Sequence, residues 1–118
     1  MITITRQHVV GAVMGLGLVA ALGSGSAQAG EYNITIDPVT IDTGDFTRSG
    51  VGFNGASPGP VLRFKEGENV TINVTNNLSE DSSIHWHGLI LPFQQDGVPN
   101  ISYPGIKSGE TFTYNFPI

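Results

Sequence analysis

The chain has 118 residues, no cysteine, and 5 basic against 10 acidic side chains, a formal charge of −5. A chain of this length holds one domain at most. The absence of thiols excludes disulfides and cysteine nucleophiles, and the acidic, unclustered charge excludes nucleic acid as a partner.

Residues 1–29 read as an export signal rather than part of a fold. Arg6 is their only charge, Val9–Leu22 is an apolar run, and Ala27-Gln28-Ala29 supplies a small-x-small cleavage site. A membrane anchor is the competing reading, but the run is short for a span and ends in Gly-Ser-Gly-Ser. The single arginine argues against a twin-arginine signal. The expected product therefore begins near Gly30, is periplasmic or secreted, and has no membrane partner once the signal is cleaved. It carries four basic and ten acidic side chains.

No helical period appears after residue 29. Thr, Val, Ile and aromatic residues alternate with polar ones between Gly/Pro/Asn/Asp clusters, the pattern of an all-β chain. The first predicted strand is Glu31–Asp42, with Tyr32, Ile34 and Ile36 on one face. Pro38 lacks an amide hydrogen, so it belongs at an edge or where the strand changes partner. Residues 43–60 read as a Gly- and Ser-rich connection that ends in a tight turn, Ser57-Pro58-Gly59-Pro60. Val61–Phe64 is predicted as a short strand. Asn69–Asn76 is the clearest half-buried one, with Val70, Ile72 and Val74 inward.

The next predicted strand, Ser83 to Ile90, carries the chemistry. Successive side chains of an extended segment leave opposite faces, so Ile84 and Trp86 point to a core while His85 and His87 share the other side. Their Cα atoms are expected roughly 7 Å apart, with the imidazoles parallel. Neutral imidazole is the commonest side-chain metal ligand, suited to copper, zinc, nickel and iron. The pair serves two adjacent ions or converges on one; spacing alone leaves both open. With no context, two histidines on a solvated strand face are simply polar residues. Leu91–Gly109 is a long irregular loop, and loops of that length in a small domain are usually functional or disordered. Thr111–Phe116 resumes the alternation. The chain then stops at Pro117-Ile118 with five strands in view, fewer than a closed sandwich needs, which implies an incomplete domain.

In order along the chain stand Phe53-Asn54-Gly55, Pro58-Gly59-Pro60, Arg63-Phe64-Lys65-Glu66-Gly67-Glu68, Val74-Thr75-Asn76 and His85-Trp86-His87-Gly88. Leu91-Pro92-Phe93-Gln94, Asp96-Gly97-Val98-Pro99 and Tyr103-Pro104-Gly105-Ile106 follow. From about residue 31 to the last residue this succession resembles the first cupredoxin domain of multicopper oxidases, most of all the bacterial copper-resistance branch. The resemblance implies a Greek-key β-sandwich of cupredoxin type over residues 30–118, lacking its last strands. It further implies that His85 binds the type 2 copper and His87 one of the type 3 pair, in a trinuclear cluster shared with other cupredoxin domains of the same enzyme. Such an enzyme takes electrons from a reducing substrate, cuprous ion or a phenol, and reduces dioxygen to water. Asp96, eleven residues after His85, matches an acid that the family places near the cluster to deliver protons. The second His-x-His segment, the later domains and the blue-copper cysteine are not in this sequence, so the chain alone should not turn over. A reading from another class is a stand-alone periplasmic module that sequesters copper through His85 and His87 and catalyses nothing.

Overall fold

The longest strand, β1 (Gly30–Asp42), spends its two halves on different partners. From Gly30 to Ile36 it runs parallel to β3 (Asn69–Asn76), and from Ile36 to Asp42 antiparallel to β2 (Thr47–Phe53). Pro38 lies just beyond the switch, exposed and opposite Val51, as its missing amide hydrogen requires. Strand β4 (Thr111–Pro117) closes the order β2-β1-β3-β4 by pairing antiparallel with β3. The computed structural model describes residues 30–118. The expected export signal lies outside the described residues.

Alternation places the core. Val70, Ile72 and Val74 of β3 are wholly buried, flanked by Ile34 and Ile36 of β1 and by Tyr114 and Phe116 of β4. Full burial of each such side chain stabilises the sheet by about 1.5–3 kcal/mol. The opposite face is polar: Asn73 Nδ2 donates to Asn33 Oδ1 at 3.1 Å and to Glu31 Oε1 at 3.2 Å, and Thr113 donates to Asn73 Oδ1 at 2.8 Å. A sheet with one dry and one wet face needs a second layer on the dry side only.

That second layer is not a second sheet. Leu62, Phe64, Leu78, Ile84, Trp86, Leu91, Tyr103 and Ile106 cover the apolar face from segments that form no ladder among the described residues. Among the described residues the chain is all-β in class, with one short 3₁₀ turn, η1 (Phe93–Gln95), as its helical element.

Three expectations change. Thr47–Phe53, read as part of an irregular connection, is β2. Its glycines come from packing rather than from a turn, since a Cβ on Gly52 would lie 2.4 Å from the Ala56 carbonyl oxygen. Pairing with β1 therefore overrides poor strand propensity. Val61–Phe64 keeps its alternation, with Leu62 and Phe64 half-buried, but has no ladder partner. It is held instead by Tyr32, whose hydroxyl donates to the Arg63 carbonyl at 2.6 Å and whose ring meets Phe64 edge-on at 5.4 Å. The predicted strand Ser83–Ile90 is likewise no ladder strand: it turns at His87-Gly88, where the Leu89 amide donates to the Trp86 carbonyl at 3.2 Å, and only Ser82 at its start forms a bridge, to Ile106.

Buried Asn76 at the end of β3 sets where that segment begins. Its Nδ2 donates to the Glu80 and Ile106 carbonyls at 2.8 and 2.9 Å, and its Oδ1 accepts from the Leu78 amide at 3.0 Å. These bonds satisfy a polar side chain that would otherwise be costly to bury.

Candidate metal centre

Side chains and loop backbone do for the histidine segment what a ladder does for a strand. The Ser83 hydroxyl bonds to the Gly97 carbonyl and lies against the Tyr103 hydroxyl, which meets the Tyr114 hydroxyl at 2.8 Å. Tyr114 donates to the Ile84 carbonyl at 3.1 Å. Burial, with the Tyr103 hydroxyl beside it, raises the Tyr114 pKa well above the ordinary phenol range. Behind the segment, Trp86 packs edge-on against Tyr114 at 5.3 Å and Phe116 at 5.5 Å. Its Nε1 is buried with no hydrogen-bond partner among the described residues.

With Ile84 and Trp86 turned inward, His85 and His87 project outward together, both exposed. Their ring centroids are 5.5 Å apart, so the shared side read from the alternation is present. The rings are not parallel, however. They stand at 80°, because His85 is drawn aside by the loop that follows η1. His85 Nδ1 lies 2.7 Å from the Asp96 carbonyl oxygen and 3.5 Å from Asp96 Oδ1. A carbonyl only accepts, so Nδ1 carries a proton, and in the neutral ring Nε2 holds the lone pair.

All three residues singled out in the sequence therefore meet: His85 and His87 side by side, and Asp96 against His85. The Asp96 side chain is 34% exposed and the His85 side chain 42%. The nearer contact comes from the backbone of Asp96, not from its carboxylate. The residues missed by sequence reasoning are Ser83, Tyr103, Tyr114 and Gly97, which hold the segment in place. Tyr114 was legible only as an inward position of a strand, and Tyr103 sits in a loop without periodicity.

No group of three or more His, Cys, Asp or Glu side chains converges among the described residues. The site offers two imidazole donors on one surface, one of them with its tautomer fixed. Such a set suits a first-row transition metal that takes further ligands from elsewhere.

The fold is that of a cupredoxin-type oxidase domain, and the chain belongs to the multicopper oxidase family, whose family model matches residues 33–118. It is similar to copper resistance protein A of Escherichia coli, 43% identical over 93 residues, which cover 79% of this chain and 15% of that protein. Among solved structures, the blue copper oxidase of Nitrosomonas europaea superposes with a TM-score of 0.74 at 36% identity, over 77% of this chain and 30% of that one. The multicopper oxidase of Pseudomonas thermotolerans superposes with a TM-score of 0.73 at 34% identity, over 78% and 23%. These neighbours are cupredoxin-type oxidases, and the fold class read from the sequence stands. The chain spans about 15% of the length of the curated relatives it matches.

Proposed function

We propose that residues 30–118 are the N-terminal cupredoxin domain of a multicopper oxidase of the copper-resistance type. His85 contributes to the type 2 copper and His87 to one of the type 3 pair. The observation that carries this reading is the pair of outward imidazoles 5.5 Å apart, on a segment whose other side is pinned to the core by Trp86. The donor set fits copper, a metal for which neutral imidazole nitrogen is a preferred ligand. Copper, when bound, supplies the one-electron steps by which electrons from cuprous ion or a phenol reach dioxygen and water is formed.

The chain's own residues bind, orient and supply protons. His85 offers Nε2 because Nδ1 is engaged, and Trp86 and Tyr114 keep the backbone between the two histidines from shifting. Water formation consumes protons, and the half-exposed Asp96 carboxylate stands where it can pass them from solvent towards the imidazole face. The remaining ligands come from other cupredoxin domains of the same enzyme, reached through chain outside this sequence. Residues 1–29 direct export, and the enzyme works in the periplasm or outside the cell.

The test is the copper content and dioxygen consumption of the complete polypeptide. His85→Ala/His87→Ala is expected to lower bound copper per molecule and abolish dioxygen uptake. Full copper and undiminished uptake in that variant would overturn the proposal.

A further inference from the structure

Gly97 is buried, has φ of +76°, and rests directly on the backbone that carries the histidines. A Cβ placed there would lie 1.8 Å from the Ile84 carbonyl oxygen, 2.8 Å from its carbon and 3.2 Å from His85 Cα. No rotamer change relieves such a clash, because every atom it meets is backbone. An L side chain is also strained at this φ. Glycine is thus required twice over, at the point where two loops without a ladder touch.

Each polar contact made across this junction by the backbone of Asp96-Gly97 reaches the histidine segment. The Asp96 carbonyl accepts from His85 Nδ1 at 2.7 Å and, at longer range, from the Trp86 amide at 3.4 Å. The Gly97 carbonyl accepts from the Ser83 hydroxyl. The close approach that glycine permits is therefore what brings an acceptor to Nδ1.

We infer that Gly97 is a positioning residue for the metal centre: by letting the Asp96-Gly97 turn seat on Ile84 and His85, it fixes His85 with its proton on Nδ1 and Nε2 free to bind metal. The acceptor is the main-chain carbonyl of Asp96, so this role is separate from any proton transfer by the Asp96 carboxylate. Free imidazole side chains favour the other tautomer, so the turn imposes a choice that the ring would not make in water. An outer partner of this kind typically changes metal affinity by about 10–100-fold. The inference extends the copper reading above, but its first consequence is visible with no metal bound.

The experiment is long-range ¹H–¹⁵N correlation of the imidazole nitrogens in the ¹⁵N-labelled, metal-free chain at mildly alkaline pH, with His87 as the internal comparison. His85 is expected to be protonated on Nδ1 in the wild type. Asp96→Ala should leave that tautomer unchanged, since the carbonyl remains. Gly97→Ala should shift His85 to the Nε2-protonated form and weaken binding of cupric ion by about 10–100-fold. An Nε2-protonated His85 in the wild type, loss of the Nδ1 form in Asp96→Ala, or its persistence in a folded Gly97→Ala chain would overturn the inference. Should Gly97→Ala fail to fold, Ser83→Ala removes the hydroxyl that holds the Gly97 carbonyl. The Nδ1-protonated fraction must then fall, and an unchanged fraction overturns the inference. The expected tautomers without any uptake of cupric ion by the complete polypeptide would count against the copper reading alone.

Discussion

The Tyr114 hydroxyl donates to the Ile84 carbonyl at 3.1 Å, so an inward residue of an edge strand holds the backbone immediately before the first histidine. The same hydroxyl meets that of Tyr103 at 2.8 Å. Removing one oxygen leaves both partners short of a bond in a dry setting. Tyr114→Phe is expected to cost about 1–3 kcal/mol in denaturant unfolding. It should also perturb the ring resonances of His85 and His87. Loss of stability with unmoved histidine resonances would mean that Tyr114 supports the core but not the site.

Trp86 presents the opposite case. Its ring fills the space against Tyr114 and Phe116, while its Nε1 is buried without an acceptor among the described residues. An unmade bond of this kind costs about 1–3 kcal/mol, which offsets part of the packing that the indole provides. Trp86→Phe should therefore change the unfolding free energy by less than Tyr114→Phe does. Trp86→Ala, which empties the site, should cost about 3–5 kcal/mol. Circular dichroism is the suitable probe, because Trp86 is the only tryptophan.

Asn76 makes a sharper structural prediction. Asn76→Ala removes bonds to Leu78, Glu80 and Ile106 and should destabilise by about 3 kcal/mol. Asn33→Ala, on the wet face of the same sheet, should cost under about 1 kcal/mol. Equal losses in urea titrations would show that the buried amide does not clamp the loop entering the histidine segment.

Acid sensitivity is expected at Asp37. The Asn77 side chain first and then the Thr35 hydroxyl, with a lesser contribution from the Gly55 amide, lower its pKa below the ordinary 3.8 against the opposing effect of desolvation. A depressed carboxylate contributes stability above its unfolded pKa and loses it as pH falls through the folded value. Asp37→Asn should therefore flatten the decline of stability at pH below about 4 while changing little near neutrality. Urea midpoints measured across that window check the sign. A decline as steep as in the wild type would exclude Asp37 as a contributor.

Alternation in the sequence reported which way side chains face, and did so well beyond the true ladder strands. It gave β1, β3 and β4 nearly to the residue, because Tyr32-x-Ile34-x-Ile36, Val70-x-Ile72-x-Val74 and Phe112-x-Tyr114-x-Phe116 are uninterrupted. It also gave the correct facing at Ile84 and Trp86. It could not say whether a neighbouring strand pairs with those segments, since pairing depends on residues far away in the chain. Strand β2 was illegible because Ser49, Gly50 and Gly52 look like a loop until the atoms they pack against are known.

At the site, residue type and spacing put His85 and His87 on one side of their segment, and the ordered motifs around them singled them out as candidate ligands. The Asp96-Gly97 dipeptide reads as an ordinary turn, and its acceptor is a main-chain carbonyl that no side-chain pattern marks. The same applies to Tyr103 and Ser83, whose roles arise from a contact between separate loops.

The central claim is that His85 and His87 hold copper, and anomalous X-ray diffraction at the copper edge from crystals of the complete polypeptide tests it most directly. The account predicts separate copper peaks within bonding distance of the two imidazoles, the one beside His85 lying at Nε2. Copper peaks elsewhere in the molecule with none beside either ring would contradict it.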